Sequence, residues 1–152
     1  MIRSRARRTV VVSLLIVLVT ASLSGPRSLG AAEASTSSTA YARELLELIN
    51  RYRKDNGLRK LYAHAGLTRL AREHSGDMAQ RRRLGHQGFK ERFQRSGRSP
   101  CTENVGWNHA TPQAQFEGWR RSAGHDRNML HPQIRWAGIA EQNGYVTFFA
   151  CR

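Results

Sequence analysis

Three short polar blocks carry the residue types that do chemistry: Gly85-His86-Gln87-Gly88-Phe89, Glu103-Asn104-Val105-Gly106, and Ser122-Ala123-Gly124-His125-Asp126-Arg127-Asn128-Met129-Leu130. Two neutral imidazoles and a carboxylate can hold Zn²⁺ with one position open, or can move protons. His86, Glu103 and His125 are therefore candidate cavity residues, with His86 and His125 as candidate metal ligands. Their spacing does not choose between chemistries. No His-Glu-x-x-His helix is present, so the usual metalloprotease geometry is absent. Equally, Glu103 could accept backbone hydrogen bonds and the histidines could donate to carbonyls. Ser122 lies three positions before His125, which brings a serine nucleophile with a histidine base to mind. The chain has no Gly-x-Ser-x-Gly elbow and no obvious third partner, so Ser122 reads as a helix-end or capping residue.

These residues need elements to position them. Tyr41, Leu45, Leu48, Ile49 and Tyr52 share one helical face, with Ser38 or Thr39 as cap and Asp55-Asn56-Gly57 as stop. Leu67, Leu70, Ala71, His74 and Met78 define a second amphipathic helix running to about Arg83, with His74 as a core residue of its apolar face. Lys90 to Pro100 reads as a long loop with one helical turn around Phe89–Phe93. Thr111-Pro112 opens a third helix to Ser122, with Phe116 and Trp119 as its apolar stripe. Glu103-Asn104-Val105-Gly106-Trp107 reads as a run leading into a turn. Asp126, Arg127 and Asn128 read as a short polar turn, and His64, His109 and His131 as surface or structural. Arg135–Ala140 and Tyr145–Cys151 are strand candidates around Asn143-Gly144, the strongest short hairpin signal. Bulky apolar residues on both faces of the second strand require cover on both sides. The expected fold class is α+β, a three-layer α-β-α sandwich with a central antiparallel sheet.

The 152 residues suffice for one domain with a real core. Arg3, Arg5, Arg7 and Arg8, the apolar run Val10–Val19 and the small residues Gly30-Ala31-Ala32 predict a secretory signal over residues 1–32, cleaved near Ala32. Arg7-Arg8 would also suit twin-arginine export. The alternative is an N-terminal membrane anchor, since the uncharged stretch Thr9–Pro26 is close to spanning length. A flexible Ala/Ser/Thr-rich leader is expected over 33–39 and the folded domain over 40–152. The net charge is +14; five arginines and no acid lie in residues 1–32, which leaves +9 for the remainder. Such a charge favours anionic partners, whether acidic lipid headgroups or anionic cell-surface polymers. Finger spacing, RNP-like motifs and aromatic–basic interleaving are missing, so no specific nucleic acid is expected. In an exported chain the two cysteines, Cys101 and Cys151, predict a disulfide tying the loop before Glu103 to the last strand.

In this order, the three blocks resemble the CAP superfamily: the cysteine-rich secretory protein, antigen 5 and pathogenesis-related 1 group, or SCP domain. Leu45-Leu46-Glu47-Leu48-Ile49-Asn50-Arg51-Tyr52-Arg53, the segment Trp119–Leu130, Trp136-Ala137-Gly138-Ile139 and Tyr145–Phe149 extend the resemblance over most of residues 41–149. Its nearest likeness is to compact bacterial members. The resemblance implies an α-β-α sandwich and a cavity where two histidines and two acids meet, in some members around a divalent metal. His86, Glu103 and His125 match the first histidine, first acid and second histidine. The second acid is missing: Ser122 stands three residues after Trp119, and Glu117 lies elsewhere on the helix. The function implied is a secreted, monomeric ligand-binding or interaction module, with Zn²⁺ as the candidate metal. A metal-assisted protease or cell-wall hydrolase is the alternative, and a non-specific binder of anionic polymers a third reading.

Overall fold

The computed structural model describes the main chain of residues 29–152 and side chains from residue 38 onward. The basic and apolar start of the expected export signal lies outside the described residues. Nine elements follow: α1 (Leu29–Asp55), β1 (Tyr62–Ala63), α2 (Ala65–Arg81), α3 (Phe89–Ser96), β2 (Cys101–Trp107), α4 (Pro112–Arg120), α5 (Ala123–Met129), β3 (Trp136–Gln142) and β4 (Tyr145–Cys151). The strands form one sheet in the order β1-β3-β4-β2. β2, β3 and β4 are antiparallel, and the two-residue β1 joins β3 in parallel.

The alternation along β4 decides the layering, because successive side chains leave a strand on opposite faces. Val146, Phe148 and Ala150 pack with Leu45, Leu48 and Ile49 of α1, Phe116 and Trp119 of α4, and Met129 of α5. On the other face, Phe149 and Cys151 pack with Leu67, Leu70 and Ala71 of α2. The result is the expected three-layer α-β-α sandwich. A buried arginine fastens the α1 layer: Arg53 donates to the carbonyls of Arg59, Met129 and His131. Asn143 and Gly144, with φ of 50° and 81°, make the β3–β4 turn, so both hairpin positions are left-handed. Cys101 and Cys151 are disulfide-bonded and sit opposite one another in the β2–β4 register.

Four expectations need correction. The residues Glu103–Gly106 do not turn: they form the middle of β2, which pairs with β4 along its full length. Cys101 is accordingly the first residue of a strand rather than part of a loop. The loop expected after Phe89 is instead the two-turn α3, bounded by left-handed Gly88 and Gly97; its Phe89 packs edge-on against Phe149 of the sheet. The segment Asp126–Asn128 is helical within α5, not a turn, because the chain restarts a helix at Ser122 once α4 stops. α2 ends at Arg81, with Arg82 left-handed at its C-cap. The bounds of α1 are Leu29–Asp55.

α2 lies so close to the sheet that a Cβ on Gly138 would collide with the main chain of Leu67 and Thr68. Backbone cannot swing aside as a long side chain can, so Gly138→Ala forces the helix off the sheet. Urea denaturation should show a loss of about 3 kcal/mol. Gly76→Ala, on the same helix, meets nothing within 4 Å and should be neutral or stabilising by about 0.5–1 kcal/mol.

Candidate functional site

β2 is an edge strand with buried polar residues, and its alternation sends them to opposite layers. Glu103 faces α2 and α3; Asn104 faces α5. Asn104 Nδ2 donates to the His125 carbonyl at 2.9 Å. Asn128 Nδ2 donates to Asn104 Oδ1 at 2.8 Å and to the Glu103 carbonyl at 3.0 Å. Trp119 Nε1 donates to the Val105 carbonyl at 3.0 Å. These four bonds clamp α4 and α5 onto β2 and so place His125. The polar character of Asp126–Asn128 is thus a docking device.

The Glu103 carboxylate is fully buried. Its partner is Arg92 of α3, whose Nε donates to Oε2 and whose Nη2 donates to Oε1, both at 2.8 Å. The third guanidinium nitrogen, Nη1, donates to the Gln87 carbonyl at 2.6 Å. His86 Nδ1 adds a bond to Oε1 at 2.9 Å, and its ring is half exposed. His74 of α2 stands 3.8 Å from Oε1 and donates from Nε2 to the Gly85 carbonyl at 2.8 Å. Glu103 therefore holds α2, the loop after it and α3 at one point.

His86 and Glu103 are in direct contact, and His125 is not joined to either. Its ring lies against Trp119, with centroids 6.4 Å apart. Burial, then the nearby charge of His86, holds its pKa below the ordinary histidine value. Ser122 occupies the N-cap of α5 without a side-chain cap bond. Glu117 pairs with Arg120 on the exposed side of α4, away from the cluster. Among the described residues no three or more His, Cys, Asp or Glu side chains are grouped to hold a metal ion. Sequence reasoning missed Arg92 and placed His74 in the core without its acidic neighbour. His74 is indeed buried, and what marks it is its Nε2, 3.8 Å from Glu103 Oε1. Beside the cluster, a groove of about 350 Å³ between α2 and α3 is lined by Glu73, His74, Asp77, Gln87, Glu91 and Arg92, among others.

The sequence profile of the cysteine-rich secretory protein family, CAP, fits residues 46–151. This chain belongs to the CAP family. The protein YkwD of Bacillus subtilis is 29% identical over 125 residues, covering 74% of this chain and 45% of that protein. The membrane protein YlbC of the same organism is 28% identical over 121 residues, covering 72% and 34%. The chain thus spans less than half the length of these relatives. Among solved structures, an extracellular SCP-domain protein from Bacillus anthracis superposes with a TM-score of 0.76 at 24% identity, over 85% of this chain and 45% of that one. An outer surface protein from Borrelia burgdorferi gives 0.64 at 17% identity, over 72% and 91%. These likenesses are of fold: the chain has the fold of an SCP domain. Among the described residues no helix is long and apolar enough to cross a membrane.

The electrostatics of the cluster follow from its geometry. Burial alone would raise the Glu103 pKa, but the bonds from His86 and Arg92 outweigh it and hold the carboxyl below its ordinary 4.5. Burial pushes the His74 pKa below 6.5; the Glu103 charge opposes that shift and the Arg92 charge adds to it. Both groups bind protons more readily in the unfolded chain, so both stabilise the fold fully only above their ordinary pKa values. Denaturant stability should therefore fall as pH drops below 6.5, through His74 and His125, and fall again below 4.5, through Glu103. His74→Gln should reduce the first step and leave the part due to His125; a wild-type stability that is level from pH 7 to 5 would contradict the assignment. A double-mutant cycle tests the ion pair itself. Arg92→Met leaves a buried charge unpaired and should cost about 3–5 kcal/mol. Added to Glu103→Gln, it should cost much less than the two single changes combined.

Proposed function

We propose that this chain is an exported CAP-domain binding module whose histidine–glutamate centre is closed by Arg92 and works without a metal ion or a catalytic base. The single observation that carries this reading is the two-pronged Arg92–Glu103 pair. A carboxylate with a guanidinium on both oxygens already has its counter-charge, and a cation would have to displace the pair. The same pair makes Glu103 a poor general base, since its pKa is lowered and its lone pairs are engaged. The acid that the family resemblance places after Trp119 is Ser122 in this chain, so no second carboxylate compensates. His86 and His125 alone make a weak donor set for zinc.

What is left is a scaffold of strongly basic composition, suited to holding a partner rather than transforming one. The basic and apolar start of the sequence and the extracellular or surface character of the structural relatives support action outside the membrane. Calorimetric titration of the full chain with zinc chloride tests the proposal. The expected result is no saturable heat at micromolar zinc, and the same trace for the His86→Ala/His125→Ala double variant. Stoichiometric binding by the wild type that this double variant abolishes would overturn it.

A further inference from the structure

The strongest unassigned feature lies at the opposite edge of the sheet from Glu103. β1 is held to β3 by Tyr62 N–H to the Arg135 carbonyl and His64 N–H to the Ala137 carbonyl, both at 2.9 Å. This register sets Tyr62 opposite Trp136. Their rings meet with centroids 5.8 Å apart, and His64 packs edge-on to Trp136 at the same distance. Two cations complete the group: Lys60 Nζ lies 4.9 Å from the Tyr62 centroid, and the Arg98 guanidinium 5.6 Å from that of Trp136. Tyr62 is 50% exposed.

No ion pair involves Lys60 or Arg98 among the described residues. Arg98 Nη1 donates to the main-chain oxygen of Arg152 at 3.2 Å, and Nη2 faces His64 Nε2 at 3.3 Å. The same imidazole accepts the Leu67 N–H at Nδ1, as cap of α2.

We propose that Lys60, Tyr62, Arg98 and Trp136 form a binding surface for an acidic polysaccharide, a polymer of sugar rings bearing carboxylates. The aromatic rings offer apolar area to sugar C–H groups, and the adjacent cations offer charge-assisted hydrogen bonds to the carboxylates. The sequence carries no nucleic-acid recognition motif, so a glycan is the polymer class assigned to these groups. This inference deepens the binding-module reading by naming a surface and a partner class, and it is independent of Glu103.

Binding of the full chain to polygalacturonate, measured by calorimetry at moderate salt, is the test, with neutral dextran and a thymidine oligonucleotide as comparison ligands. Tyr62→Ala should weaken polygalacturonate binding fivefold or more at unchanged net charge and unchanged thermal midpoint. Lys60→Gln should also weaken it, while Arg43→Gln, which removes an exposed charge on α1, should change it less than twofold. The proposal is overturned if polygalacturonate does not bind, if Arg43→Gln and Lys60→Gln are equivalent, if Tyr62→Ala is silent, or if the oligonucleotide binds more tightly. None of these outcomes bears on zinc, so the two readings stand or fall separately.

Discussion

A carboxylate buried on an edge strand is the constraint around which the molecule is arranged. An isolated charge there would cost several kcal/mol. Glu103 is tolerable because Arg92 reaches it from α3 with two parallel bonds and His86 adds a third. Supplying them dictates much of the local fold. α3 must exist to carry Arg92, and the loop after α2 must return so that the Gln87 carbonyl can take the remaining guanidinium nitrogen. On the far face of the same strand, Asn104 and Asn128 do the equivalent for α5. β2 is thus an edge strand protected by helices pinned to its own side chains, with the Cys101–Cys151 bond closing its start.

This dependence explains what could be read in advance and what could not. The amphipathic faces of α1 and α2, the proline-led α4 and the Asn-Gly hairpin are local signals, and they stand as expected. β2 was hidden because its central residues, Glu103-Asn104-Val105-Gly106, are polar or small and resemble a turn. They are strand residues only because tertiary partners satisfy each polar group. α3 was hidden for the same reason: Lys90, Glu91, Arg92, Gln94 and Arg95 suggest a solvated loop until Arg92 is seen to be buried. Of the candidate site, His86 and Glu103 were legible as a contact, whereas His125 is placed by its carbonyl rather than its ring. No local pattern distinguishes a clamping arginine from a surface one.

Family membership and site chemistry therefore separate in this chain. The blocks that carry the CAP likeness are the ones that build the β2 junction, so they report on architecture first. The second acid is a serine, and an arginine supplies positive charge at the remaining acid. Two basic residues with aromatic partners at the β1 edge, Lys60 and Arg98, offer an outlet for function that the central cluster, closed by its own pairing, does not.

The central claim is that Glu103 is ionised and internally paired in the folded chain at neutral pH. Carbon-13 NMR of its side-chain carboxyl carbon, followed over pH with and without zinc, tests that most directly. The account predicts an ionised signal that holds below the ordinary value of 4.5 until the protein unfolds, and no shift on adding stoichiometric zinc. A titration midpoint at or above 4.5, or a zinc-induced shift of that resonance, would contradict it.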